Sequence, residues 1–358
     1  MKIKPFDIKT CESIIKNEPG IILEHLPGNP FEPFLVQDPF GLRKAVVPVF
    51  RKDMKGNIFG MGTAFHVDGW GTFLTADHVI DFARDQLKKT SAVNSPNFSK
   101  GDHLVLFLGM GLVIGSVKIP AEAFVLASEI VSAMWEKDDP IAKLRGESSM
   151  EMLADLAVIT ATSQAGPLTP HSIPVKAIGW HPSIGEIVLA IGFPELECQL
   201  LTEDSQLATL TEGMYAAYGR ITKLHPFGTS QHHPNPVLEV ECNWPSGMSG
   251  GPVFNSSGEV VGVVSRSLLG DEKSPGVGKA TSFEFLSYFN TLVPTLDGLN
   301  PMMRRGWGVI RNNPWHLAGF FKTKREALKF AEGFDFEYQV KYGGNQFGTD
   351  NFISEIIE

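Results

Sequence analysis

The sequence has few of the residues that would place it in several broad classes. It contains 3 cysteines in 358 residues, Cys11, Cys198 and Cys242. They are odd in number, scattered, and not spaced as metal ligands. This argues against a secreted disulfide framework and for a reducing, cytoplasmic setting. Basic residues are outnumbered, 31 Lys and Arg against 40 Asp and Glu, for a formal net charge of −9. Such a balance carries no cationic footprint for nucleic acid or for an anionic membrane. No apolar run approaches the roughly 18 residues of a membrane-spanning helix. Residues 1–20, MKIKPFDIKTCESIIKNEPG, lack the continuous apolar stretch and small-residue cleavage site of a secretory leader. Low-complexity tracts and repeats of solenoid or propeller period are absent as well.

What remains is an ordinary globular composition, 43% hydrophobic and 20% charged, in a chain long enough for about two or three packed units. Residues 1–44 read as an irregular N-terminal extension broken by Pro19, Pro27, Pro30, Pro33 and Pro39. From Ala45 the chain turns to short β-branched and aromatic runs punctuated by glycine, such as KAVVPVF, GMGTAFHV, GTFLTADHV and HLVLFLGMG. DGWG at 68–71 is a tight-turn candidate between two of them. AEAFVLASEIVSAMWEK at 121–137 predicts a helix, with Asp138 and Asp139 in the loop that ends it. Strand signals then resume in ADLAVITAT, EIVLAIGFP, AAYGRITKL, PVLEVECNW, GPVFN and EVVGVVSRSL. Many short strands joined by turns favour a sandwich or barrel over a parallel α/β sheet. Residues 300–358 change character and predict a small β-β-α-β module. There Thr323 and Glu326 fit a capping box, Ala327, Phe330 and Ala331 share a face, and Gly333 suits the stop.

The chemistry is concentrated around CNWPSGMSGGPVFN at 242–255, where one serine stands among three glycines ahead of an apolar strand. Alone, such a stretch is equally a turn between strands. A serine hydroxyl becomes a useful nucleophile only when a base takes its proton and a third group orients that base. His78, in FLTADHVI, ends a strand and opens a short helix, and Asp155 opens the apolar strand ADLAVI. His66 reads as a satisfied strand histidine. His225, His232 and His233 read as solvated loop residues, since no third metal ligand accompanies them. Cys242 reads as a small buried hydrophobe, and Cys11 and Cys198 have no activating neighbours in the sequence.

Together, GTAFHV…GTFLTADHV, DLAVI and SGMSGGPVF, in the order His, Asp, Ser, resemble the motifs of the trypsin-like (chymotrypsin-fold) serine peptidases over residues 45–295. The resemblance implies a mainly β fold of two six-stranded antiparallel β-barrels with the triad in the cleft between them. A peptidase domain over 45–299 would then follow the 1–44 extension and precede the 300–358 module. It implies Ser249 as nucleophile, His78 as general base and then acid, Asp155 as the buried orienting carboxylate, and the N–H groups of Gly247 and Ser249 as oxyanion hole. It puts the floor of the specificity pocket at Asn243 and its wall at Ser265, Arg266 and Ser267, a neutral pocket suited to a small or medium side chain. Three departures stand out. A long interval separates His78 from Asp155. Met248 replaces the aspartate with which many secreted members bind a newly cut N-terminus. Asp77 stands where alanine is more usual, and no reading of the residues accounts for it. The expected activity is an intracellular serine endopeptidase without metal or cofactor, acting on protein or peptide substrates, with no nucleic-acid or membrane partner. The appended segments are its expected regulators, by autoinhibition or by docking to a partner protein, as in bacterial stress and defence peptidases. The competing reading is a catalytically silent protease-fold binding module.

Overall fold

A computed structural model describes residues 31–36, 42–80, 103–107, 115–120, 124–161, 173–194, 197–200, 207–229, 235–286 and 303–354, apart from short gaps within these ranges. The β-branched and aromatic runs form strands because each finds antiparallel partners that share its buried face. The first sheet contains β2 (Val46–Lys52), β3 (Ile58–His66), β4 (Thr72–Thr75), β5 (His103–Phe107), β6 (Gly115–Pro120), β7 (Phe124–Leu126), β8 (Glu129–Lys137), β9 (Ser149–Thr160), β11 (Glu197–Leu200) and β12 (Leu207–Glu212). A second sheet contains β1 (Phe34–Leu35), β10 (Ile187–Gly192), β13 (Tyr215–His225), β14 (Val237–Cys242), β15 (Pro252–Phe254), β16 (Val260–Leu268) and β17 (Val277–Ser282).

The second sheet closes on itself. Its order runs β13-β10-β15-β16-β17-β14, and β14 pairs back onto β13, which makes the six-stranded antiparallel barrel expected for this half. β1, from the N-terminal extension, adds to the outside of β13 through Phe34 opposite Ala216; most of residues 1–44 lie outside the described residues. Among the described residues Trp244 is the largest fully buried side chain, and it packs inside this barrel with Val240, Met248 and Val264.

The first sheet is mainly β and antiparallel as expected, but among the described residues no strand pairing closes it into a second barrel. From β2 the pairing runs one way through β3 and β4 to β9 and β8, and the other way through β5 to β7. Only Ala127 and Ser128 separate β7 from β8, and there the Ser128 N–H donates to the Thr160 carbonyl (2.7 Å). The helix expected at 121–137 is therefore these two strands. Ile130 lies opposite Ile159, and both are buried, so β-branched cross-strand packing outweighs a spacing that also suits a helix. A short helix α1 (Pro140–Leu144) follows; Asp138 and Asp139 lie outside the described residues.

A third, four-stranded sheet occupies residues 303–354, ordered β19-β18-β20-β21, with β18 (Met303–Asn312), β19 (Trp315–Phe321), β20 (Gln339–Gln346) and β21 (Phe352–Ser354). Helix α2 (Lys324–Ala331) lies between β19 and β20 in the chain. Its N-terminus is closed by the expected capping box: the Glu326 N–H donates to the Thr323 hydroxyl, and the Thr323 N–H to the Glu326 carboxylate. The helix ends before Gly333, and β21 adds a strand that the sequence pattern did not predict. Among the described residues, no helix is long and apolar enough to cross a membrane.

Candidate active site

His78 stands in a 3-10 turn, Asp77–Ile80, immediately after β4. β4 pairs with β9 through Leu74 opposite Val158 and Thr75 opposite Ala157. Continuing that antiparallel register by two residues brings the turn level with Asp155. The contact is double. The Asp155 Oδ1 accepts the backbone N–H of His78 (3.0 Å), and its Oδ2 lies 2.8 Å from His78 Nδ1. Asp155 is buried, while the His78 side chain keeps 25% exposure. With Nδ1 engaged by the carboxylate, Nε2 is the nitrogen left to exchange protons with a neighbour.

Burial pushes the Asp155 carboxyl up, but hydrogen bonds from His78 and Ser265 and the His78 charge more than offset this, and hold it below the ordinary carboxylate range. The sign follows from linkage. A carboxylate with a lowered folded pKa contributes stability that is complete above about pH 4 and is lost as the pH falls through the folded value.

Ser249 lies in the loop between β14 and β15. That loop is stitched to β3 by Thr63. The Thr63 N–H donates to the Ser249 carbonyl (2.8 Å), and its hydroxyl donates to the Gly247 carbonyl (2.8 Å) while accepting from the Phe193 N–H (3.0 Å). Nothing in the sequence motifs pointed to Thr63; the only trace of its role is a threonine set directly after a glycine in an apolar strand. Gly247 has φ +90 and Gly250 φ +85, left-handed conformations that glycine adopts without strain. Among the described residues the N–H groups of Gly247 and Ser249 have no hydrogen-bond acceptor.

Gly250 is one of the tight points of the loop. A Cβ there would lie 2.1 Å from the Thr63 carbonyl oxygen and 2.2 Å from the Thr75 hydroxyl. Gly250→Ala is therefore expected to destabilise the protein by about 3 kcal/mol or more, through strain plus displacement of β3. Urea unfolding of the two proteins measures this directly, and a loss below about 1 kcal/mol would contradict it.

Ser265 ties the site together in a way that its expected place in the pocket wall did not suggest. Its hydroxyl donates to the Asp155 Oδ2, and its carbonyl accepts from the Ser249 hydroxyl (3.1 Å). The Ser249 Oγ thus donates to Ser265 and not to His78 among the described residues. Thr281 adds a further support, its hydroxyl donating to the Asp155 carbonyl (3.2 Å). Of the other expected pocket residues, Asn243 accepts the Gly270 N–H on its Oδ1 (3.0 Å), and the Ser267 hydroxyl donates to the Trp244 carbonyl. Met248 is fully buried among apolar side chains. Asp77 is also buried.

The profile of a family described as a trypsin-like peptidase domain matches residues 62–263, a span that includes His78, Asp155 and Ser249. The chain belongs to the trypsin-like peptidase domain family. No curated protein matches it. Among solved structures it is similar to the active form of the Rv3671c protease from M. tuberculosis, at 13% identity and a TM-score of 0.39, over 73% of this chain and 85% of that one. It is also similar to the inactive form of that protease, a serine-to-alanine mutant, at 13% identity and a TM-score of 0.38, over 72% and 90% of the two chains.

Away from His78, His66 and His225 of this trypsin-like domain each have partners of their own. His66 is fully buried, stacks on Phe73 (4.8 Å between centroids), and accepts the Gly71 N–H on Nε2 (2.9 Å). His225 lies beside Glu239 (3.5 Å), which Lys223 also pairs (2.7 Å). His232 and His233 lie outside the described residues. Burial pushes the Cys242 thiol well above its ordinary range, as expected for an inert small hydrophobe. Cys11 lies outside the described residues.

Proposed function

We propose that the protein is a serine endopeptidase in which Ser249, His78 and Asp155 form the catalytic triad. The observation that carries this reading is the pair of contacts through Ser265, which join the His78–Asp155 couple to the Ser249 hydroxyl within one hydrogen-bonded group. Turning the Ser249 hydroxyl from the Ser265 carbonyl toward His78 Nε2 is the side-chain rotation that the reaction requires. Ser249 Oγ then attacks the scissile carbonyl carbon as its proton passes to His78 Nε2. The oxygen that becomes negative is met by the N–H groups of Gly247 and Ser249. The C–N bond breaks as His78 returns the proton to the leaving amine, and an ester joins the acyl group to Ser249. Water, deprotonated by His78, cleaves that ester and restores the serine. Asp155 stays ionised throughout, holding the tautomer and the imidazolium.

The specificity pocket is proposed over Asn243, Ser265 and Ser267. The polar groups there are neutral, and the Asn243 and Ser267 side chains bond to backbone, which supports a small or medium uncharged residue on the acyl side of the cut. The apolar burial of Met248 supports a protease that does not depend on an ion pair with a new N-terminus. The sparse cysteines support an intracellular setting, and residues 300–358 are proposed to regulate the domain over 45–299.

One observation favours a second reading, a silent protease-fold binding module: the Ser249 hydroxyl bonds to Ser265 and not to His78. A fluorophosphonate probe separates the two. Labelling of the purified protein, located on Ser249 by mass spectrometry and lost in Ser249→Ala and His78→Ala, is the expected result. Absence of label on folded wild-type protein, with or without residues 300–358, would establish the silent module.

A further inference from the structure

The turn between β3 and β4 is built more firmly than a surface turn of its length requires. Asp68 is almost fully buried and gathers the hydrogen bonds of the turn on its carboxylate: from the Trp70 N–H (2.7 Å), the Thr72 N–H (3.1 Å) and the Thr72 hydroxyl. Burial pushes that carboxyl up, but His66 and these hydrogen bonds bring it down to about 2. At its far side the turn is joined to the end of β9, where the Ala161 N–H donates to the Gly71 carbonyl (2.8 Å). The C-terminal sheet meets the protease domain on this turn. The Phe320 ring of β19 stacks on the Trp70 indole, 5.5 Å between centroids and 13° from parallel, and Lys322 reaches the Asp68 Oδ2 (3.7 Å). Phe320 also rests edge-on against Phe352 of β21 (5.9 Å), so the contact residue is set by the fold of the C-terminal sheet itself.

We propose that the β3–β4 turn is the seat of the C-terminal sheet, and that the seated sheet steadies the hairpin that presents His78. Trp70 and Phe320 are then positioning residues, with Asp68 and Lys322 setting the orientation of the contact. The route is short and covalent. β4 runs from this turn directly into the Asp77–Ile80 turn, and it pairs with the strand that carries Asp155. Among the described residues the contact includes one ring stack and one ion pair with a half-exposed lysine; contacts between domains of one chain open and close more readily than a packed core does. The C-terminal sheet thereby acts as a support, and its release loosens the catalytic histidine. Only the consequence for reaction rate rests on the triad proposed above; the docking does not.

Hydrogen–deuterium exchange on the full chain tests this, comparing wild type with Phe320→Ala, Trp70→Ala and the conservative Trp70→Phe. Peptides covering residues 72–80 are expected to exchange about three- to tenfold faster in both alanine variants, the scale of one lost ring pair. They should remain close to wild type in Trp70→Phe, and strands β13 and β14 should be unchanged in all four proteins. Unchanged exchange at 72–80 in either alanine variant overturns the proposal, since the two substitutions remove the same contact from opposite sides. The rate of fluorophosphonate labelling at Ser249 is expected to fall by a similar factor in the same two variants. If neither wild type nor the chain lacking residues 300–358 labels, the triad reading fails, and the exchange comparison still decides the docking.

Discussion

Ser249→Ala is expected to lower the rate of peptide-bond cleavage by about 10⁶-fold, and the Ser249→Ala/His78→Ala double variant to be no slower than either single one. The non-additivity follows from the chemistry. Once the hydroxyl is gone there is no proton for His78 Nε2 to accept, and once the imidazole is gone the hydroxyl is too weakly nucleophilic to attack at neutral pH. With the proposed oxyanion hole at the Gly247 and Ser249 N–H groups, the cleavage that survives is expected to come from those donors, because Thr63 holds the backbone of the loop. Steady-state kinetics on a peptide library and on the three variants makes the comparison. Losses that add in the double variant would mean that Ser249 and His78 do not act as a unit.

Asp155→Asn is expected to lower kcat by about 10⁴-fold with the protein still folded. An asparagine fills the same volume but has only one oxygen. It cannot accept from the His78 N–H, His78 Nδ1 and Ser265 together, as the carboxylate does. The imidazole then loses the partner that fixes its tautomer, and the imidazolium loses its counter-charge. The same substitution has a signature in stability. Because the pKa of Asp155 is lowered in the folded protein, wild type loses the stabilisation of this carboxylate as the pH falls below about 4, while the variant has none to lose. Urea unfolding at a series of pH values between about 5 and 2 should therefore show the stability gap between the two proteins narrowing toward acid. A gap independent of pH would mean that the carboxylate is not held ionised by His78 and Ser265.

How far these expectations could be drawn from residues alone differed from element to element. The strands from Ala45 onward were legible because alternation and β-branching report directly on a half-buried pleated surface. The capping box at Thr323–Glu326 was legible because it is a local hydrogen-bond exchange, complete within four residues. The stretch 121–137 was misread as a helix for the converse reason. Its apolar spacing fits either period, and the deciding contact, Ile130 with Ile159, comes from a strand elsewhere in the chain.

By itself, the sequence determined the fold class, the family, and three stretches whose residue types suit acyl transfer. Motifs of this sort are local: a glycine needed for a left-handed backbone, or a carboxylate at the head of an apolar strand, leaves its mark where it stands. Tertiary structure alone decided what joins them. Register between β4 and β9 brings the His78 turn to Asp155. Ser265 proves to be a bridge between Asp155 and Ser249, and Thr63 anchors the serine loop. Trp70 and Phe320, far apart in the chain, meet only because a separate sheet packs on the turn between β3 and β4. These are contacts between residues with no fixed spacing. Their energy depends on pairs that come together only when the whole chain has folded, so no single stretch carries a record of them.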